Sequence, residues 1–172
     1  MKLDGTKWKV TFCSGATTVT GSDFLLEGPI DESGRPLVRI LVDCGLVQGE
    51  KLAADDNWDP FPFDPASIDY LFITHSHIDH IGRIPKLVHD GFKGKIIATP
   101  PTCAITRPML EDTAAILSHN VDQGLDKIYA PEIVERALSG WIGLPYEKDY
   151  ELIPGLTVRL HNAGHILGSA YV

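Results

Sequence analysis

Apolar and polar residues alternate in "KWKVTFCSG", where Trp8, Val10 and Phe12 fall on one face, and this period of two predicts a first strand. "SDFLLEG" and "PLVRILVDCG" are denser apolar, β-branched runs closed by glycine. They predict two more strands, with "PIDESGRP" as the turn between them. Residues 48–67 hold three prolines and no sustained period, so they read as a loop and a turn into the next strand, "IDYLFITH". In "RIPKLVHDG" Ile84, Leu87 and Val88 make one apolar face, Pro85 sits in a tolerated first-turn position and Gly91 stops the helix. "GKIIATPPT" then reads as a buried strand. Residues 105–119 and 131–142 read as helices, the second with Pro131 in its first turn, and "YEKDYELIPGLTVRLHNAGH" returns to strands split by a Pro-Gly turn. Strands, then helices, then strands again give an α/β layered domain with helices covering a sheet.

Composition narrows this picture. A chain of 172 residues that is 44% hydrophobic, with a mean hydropathy of zero, fits one soluble domain with a core of its own. Its 12 prolines and 16 glycines are dispersed, which argues against a linker or a repeat array. Cys13, Cys44 and Cys103 are far apart and form no C-x-x-C pair, so neither a disulfide framework nor a thiolate zinc site is expected. A reducing cytoplasm suits them. The start, "KLDGTKWKV", has no apolar signal-peptide core, and no window is apolar enough for a membrane span, so the expectation is a cytoplasmic chain with no membrane partner. The net charge of −8 is the wrong sign for a wide basic face that grips nucleic acid. A polyanion partner would need a local groove, metal ions or another domain.

The chemistry concentrates in "ITHSHIDHIG", which places three histidines and an aspartate within six positions, His75 to His80. His75 and His77 lie two apart at the end of an extended segment, where alternate side chains share a face, so both imidazoles can reach one ion. Asp79 and His80 follow as the chain turns toward the next helix, which aims them at a neighbouring position. A second ion there would lie about 3.5–4 Å away, as in two-metal hydrolases. Imidazole and carboxylate at this density suit zinc, with manganese or iron as alternatives, better than the all-oxygen shells of calcium and magnesium. Such an ion lowers the pKa of bound water to about 7, so the reaction class implied is hydrolysis. The competing reading is a set of surface or capping residues at a strand-to-helix turn; four ligand-type residues in so short a run weigh against it.

The other histidines are weighed singly. His89 and His119 sit near helix C-termini, where a cationic imidazole favours the helix dipole, and read as structural. In "HNAGHILGSAYV" His165 follows a strand between Gly164 and the apolar pair Ile166 and Leu167, and would complete a three-histidine site with an open fourth position. His161, four residues upstream, is the rival ligand, with His165 preferred.

Taken together, these segments resemble a known family. "THSHIDHIG" is similar to the H-x-H-x-D-H motif of the metallo-β-lactamase fold, while "SGATTVTGSDFLLE", "ILVDCGLVQGE" and "AGHILGSA" resemble its nucleic-acid-processing branch, the RNase J-like and pre-mRNA 3′-end endonuclease-like proteins that carry a β-CASP domain. The likeness runs from about Val10 to Val172. It implies a four-layer αββα sandwich and a two-zinc phosphodiesterase acting on RNA. It further implies His75, His77 and His165 on the first zinc, Asp79 and His80 on the second, and Asp79 also as the catalytic group that fixes the attacking water. Asp43 of "VDCG" would orient the histidine cluster by hydrogen bonding. Its competing role is a carboxylate that caps a strand-end turn.

The family pattern continues past this sequence, with a bridging aspartate, the β-CASP insertion and a last zinc-binding histidine, whereas seven residues follow His165. The expectation is therefore the N-terminal part, residues 1–172, of such a sandwich, truncated before its second half and without the β-CASP domain. One well-formed zinc site is expected, and an uncovered sheet face that favours a homodimer or swapped association. Three functions follow from these readings. The first is a zinc-dependent, or manganese-dependent, hydrolase of single-stranded RNA, with DNA left open as substrate. The second is a metal-binding or interaction module without turnover, and the third a small-molecule hydrolase of the same superfamily.

Overall fold

The computed structural model describes residues 7–17, 19–49, 57–119 and 124–172. Residues 50–56 of the expected loop lie outside them. A six-stranded sheet carries the fold, in the order β1 (Lys9–Ser14), β2 (Asp23–Glu27), β3 (Arg39–Val42), β4 (Tyr70–Phe72), β5 (Lys95–Ala98) and β6 (Ile142–Gly143). β1, β2 and β3 pair antiparallel, while β3 to β6 run parallel. Parallel neighbours need crossovers, and helices supply two of them. α1 (Ile78–Ile81) and α2 (Ile84–His89) join β4 to β5, and α3 (Pro100–Leu117), α4 (Leu125–Ile128) and α5 (Pro131–Leu138) join β5 to β6. Right-handed crossovers taken in one direction across a sheet place these helices on one face.

The period of two sorts the core. Leu41, Leu71, Ile96 and Ala98 point into the helical side with Ile84, Leu87 and Leu110. Their strand neighbours Ile40, Phe72 and Ile97 point the other way, to Leu144, Leu152 and Leu160. That second face is partly covered by the hairpin of β7 (Tyr150–Ile153) with β8 (Leu156–Val158) and by β9 (His161–Asn162) paired with β10 (Ala170–Tyr171). Helices, the six-stranded sheet and the two small two-stranded sheets thus form three layers of the expected sandwich. All described α-helices fall between Ile78 and Leu138. Among the described residues no helix is long and apolar enough to cross a membrane.

Two element boundaries differ from expectation. The helix expected over 105–119 begins at Pro100, because the Thr99 side chain accepts from the Thr102 N–H as a cap, and two prolines occupy first-turn positions that need no N–H donor. The helix expected over 131–142 ends at Leu138, where Gly140 adopts φ 72° and Ile142–Gly143 leave to pair with β5. The parallel arrangement then sets the site. The C-terminal ends of β3, β4 and β5 lie on one edge, and they deliver Asp43, Thr74 to His77, and Thr99 to the same side of the sheet.

Candidate metal centre

Beyond β4 the chain stays extended through His77, whose φ of −66° and ψ of 147° precede the single turn of α1. This brings His75 Nε2 within 3.0 Å of His77 Nδ1. From the β9–β10 loop, His165 Nε2 approaches His77 Nδ1 to 3.2 Å. The three ligand atoms all lie within 4.8 Å of one another, and the trio is graded from buried His75 to exposed His165. Zinc–nitrogen bonds of about 2.0–2.1 Å give a tetrahedral edge of about 3.3 Å between nitrogens. The spacing and the all-imidazole donor set therefore fit one divalent ion with a fourth position open to solvent.

Protons on these rings follow from their partners. Asp43 is buried, at φ 61°, and its Oδ1 accepts from the Thr74 N–H at 2.8 Å. Its Oδ2 takes the Thr74 hydroxyl at 2.8 Å and faces His80 Nδ1 at 2.7 Å. Having given its one proton to Asp43, the Thr74 hydroxyl accepts from His75 Nδ1, 3.0 Å away. A relay from His75 through Thr74 to Asp43 leaves His75 Nε2 as a lone pair facing His77. His80 likewise turns Nδ1 toward Asp43, and its Nε2 lies 3.7 Å from the Asp79 carboxylate.

Burial, and then the neighbouring imidazoles His80, His77 and His165, push the His75 pKa down to about 4. It is neutral, as a metal ligand must be. Burial also opposes charge on His80, but the hydrogen bond and charge of Asp43 outweigh it and raise the His80 pKa above the ordinary value. Burial pushes the Asp43 carboxyl up, against the hydrogen bonds from His80 and Thr74.

The residues expected to hold or orient metal lie at this edge of the sheet, in two groups. His75, His77 and His165 form the trio. Asp79 and His80 stand beside it on α1, with the His80 ring 3.9 Å from that of His75, and Asp43 sits beneath. His161, the rival ligand, instead faces Glu147 Oε1 at 2.8 Å and stacks on Tyr171, outside the trio. His89 ends α2 beside Asp90, at 2.8 Å.

Sequence reasoning missed Thr74, whose hydroxyl serves both His75 and Asp43. It also missed the backbone lacing that fixes the turn. Ser22 N–H donates to Asp79 O, Cys44 N–H to His80 O and Arg83 N–H to Cys44 O, at 2.9, 2.8 and 2.9 Å. The glycine in "VDCG" was a signal for this close approach of backbone to backbone.

The family profile described as "Metallo-beta-lactamase superfamily" matches residues 38–163, a span that includes Asp43, His75, His77, Asp79 and His80. Ribonuclease TTHA0252 of Thermus thermophilus is 37% identical over 157 residues, covering 91% of this chain and 32% of its own length. Transcription termination factor FttA of Methanosarcina mazei is 35% identical over 167 residues, covering 94% of this chain and 24% of its own. The chain thus spans a third or less of these relatives. Among solved structures, the chemotaxis sensor ODP, described as a peroxy diiron species, superposes with a TM-score of 0.51 at 16% identity, over 97% of this chain and 55% of that one. A B3 metallo-beta-lactamase with an active-site glutamic acid does so with a TM-score of 0.51 at 18% identity, over 88% of this chain and 49% of that one. At these identities the likeness concerns the fold alone. With a profile that spans most of the chain, and a sheet that presents its histidines at one edge, the chain belongs to the metallo-beta-lactamase superfamily.

Proposed function

We propose that this chain carries the metal-binding part of a metal-dependent phosphodiester hydrolase acting on RNA, with zinc as the ion held by His75, His77 and His165. The observation that carries the reading is the trio's nitrogen spacing beside Asp79 and His80, in a chain 37% identical to a ribonuclease. When bound, a divalent ion supplies Lewis acidity, making water nucleophilic near neutral pH and offsetting negative charge around phosphorus. The chain's own residues supply orientation. Asp43 and Thr74 hold the His75 and His80 rings with Nε2 turned outward. Asp79 would accept a hydrogen bond from the attacking water and fix its direction. The net charge of −8 leaves phosphate recognition to the ion and a local groove rather than to a wide basic face.

A second reading has its own support. Among the described residues Asp79 and His80 form a pair rather than a trio, so a second ion would have two protein ligands. On that reading the chain by itself is a one-ion module without turnover. Elemental analysis of the purified chain and cleavage of single-stranded RNA with zinc or manganese, beside His77→Ala and the Thermus ribonuclease, separate the two. Cleavage by this chain that His77→Ala abolishes supports the hydrolase. One ion per chain with no cleavage supports the module, and no bound ion at all sinks both. Single-stranded DNA in the same assay decides the sugar preference.

A further inference from the structure

His165 reaches the trio from a loop with little to hold it at its tip. His165 is exposed, Leu167 is 73% exposed, and a Cβ added at Gly164 would meet no atom within 4 Å. The anchor lies on the loop's far side. The Gly168 carbonyl accepts the Thr99 hydroxyl at 2.6 Å and the Thr102 hydroxyl at 2.9 Å. These threonines open α3 and are 1% and 0% exposed. Each has one hydroxyl proton to place, and a carbonyl oxygen has two lone pairs, so this loop position satisfies both buried donors at once.

The fit is close. Gly168 adopts φ 86°, and a Cβ on it would press to 2.7 Å from the Thr102 Oγ1 and 2.9 Å from the Thr99 Oγ1, so no side chain is tolerated between loop and helix. Ser169 carries the constraint to the ligand. Its hydroxyl oxygen accepts from the N–H groups of His165 and Ile166, at 3.0 and 3.2 Å, and its own N–H donates to Ile166 O at 2.9 Å. One residue further, Ala170 N–H donates to Thr74 O at 2.8 Å, beside His75. The loop is therefore slung between the first turn of α3 and the strand that delivers the other two histidines.

We infer that Thr99 and Thr102 are positioning residues, whose paired hydroxyls on the Gly168 carbonyl set His165 at bonding distance from an ion held by His75 and His77. This rests on the proposed reading of His165 as a ligand. Thr102→Val tests it with little disturbance, since it keeps the β-branched shape and leaves Thr99 to cap the helix and hold Gly168.

Cobalt(II) is titrated into the metal-free chain and its visible absorption followed, which reads affinity and ligand geometry without turnover. Affinity is expected to fall about ten-fold in Thr102→Val, as for loss of other groups that orient a ligand, and further in Thr99→Val/Thr102→Val. The absorption bands should shift toward those of His165→Ala, and Thr102→Ser should restore both readouts. If thermal melting shows that the double variant does not fold, Thr102→Val against Thr102→Ser decides. Unchanged cobalt binding in Thr102→Val beside weakened binding in His165→Ala would overturn the positioning role and leave the site standing. Unchanged binding in His165→Ala would overturn both.

Discussion

The backbone of Gly45 lies so close against the backbone carbonyl of Asp79 that a Cβ on Gly45 would overlap it. On either side of the contact, Gly45 N–H donates to Ser22 O and Leu46 N–H to Ile78 O, at 3.0 and 3.1 Å. The turn that carries Asp79 and His80 is thus seated on a strip of bare backbone, and neither partner is a flexible side chain able to give way. Gly45→Ala is expected to lower unfolding stability by at least the ~1–3 kcal/mol of ordinary overpacking and to weaken metal binding with it. Gly34→Ala is the control, because a Cβ there meets nothing within 4 Å and only the φ of 80° opposes it, costing about 1 kcal/mol. Urea midpoints that fall equally in the two variants would refute the close-contact account.

Arg83 follows the same turn and reaches back to the first residue of β2. Its Nη2 lies 2.8 Å from Asp23 Oδ2, with side-chain exposures of 6% and 0%, and its guanidinium lies 5.0 Å from the centre of the Phe61 ring. A carboxylate removed from such a pair leaves a buried cation with less compensation. Above about pH 7, where the Asp23 carboxyl is ionised, Asp23→Ala is expected to cost about 3–5 kcal/mol, whereas the joint replacement Asp23→Leu with Arg83→Met, which removes both charges, should cost much less. Denaturant unfolding of the three variants measures the difference. A double variant no more stable than Asp23→Ala would show that the pair contributes more than mutual neutralisation.

His75 and Asp23 act with opposite sign on stability against pH in the metal-free chain, in one window. His75, lowered to about 4 by burial and its imidazole neighbours, binds its proton more weakly folded than unfolded, so its contribution is full above about 6.5 and is lost as pH falls toward 4. Asp23 has the opposite sign. Burial, against Arg83, pushes it up to about 7 from 3.8, so the folded state holds its proton more tightly and that contribution is lost as pH rises through about 7. In His75→Gln the raised groups Asp23, Asp43 and His80 lose their opponent at His75, and stability should fall from pH 4 to 6.5 more steeply than in the parent. In Asp23→Asn the profile over the same range should tilt upward relative to the parent. Urea midpoints taken across this window in the presence of a chelator decide the matter, and parallel profiles for parent and His75→Gln would exclude a depressed His75.

What the sequence made legible was local. The spacing of His75 and His77 on an extended segment is a property of two residues, and so is the alternation that separates Leu41 from Ile40 and Leu71 from Phe72. What it hid depends on partners far along the chain. Thr74 is an ordinary strand residue until Asp43, 31 positions earlier, lies beneath it. Ile142–Gly143 is too short to carry a pattern and becomes a strand through the edge that β5 offers. The start of α3 was legible in principle, since Thr99 before two prolines is a helix-start signal, but the apolar "KIIA" before it extended the strand reading too far. Asp43 was left between capping a turn and orienting histidines; in the structure one carboxylate holds the Thr74 N–H and faces His80 Nδ1 as well.

Among the described residues the sheet face turned away from the helices is only partly covered. Register pairs Val10 with Leu26 and Phe12 with Phe24, and then Leu26 with Ile40 and Phe24 with Val42, so these six apolar side chains share that face. Between four of them, Phe24, Leu26, Ile40 and Val42, and β8 lies an open apolar cleft of ≈ 700 Å³. Val10 and Phe12, on the edge strand β1, are 51% and 62% exposed. A contiguous apolar face that ends in an exposed strand edge favours self-association of the chain as described. Sedimentation velocity should show the weight-average mass rising with concentration. The double substitution Val10→Lys with Phe12→Lys changes exposed positions at little cost to the core, and places two charges on the edge, so it should hold the chain monomeric without shifting its urea midpoint by more than about 1 kcal/mol. A parent chain that stays monomeric at millimolar concentration, or a double-lysine variant that associates as strongly as the parent, would rule this face out as the contact.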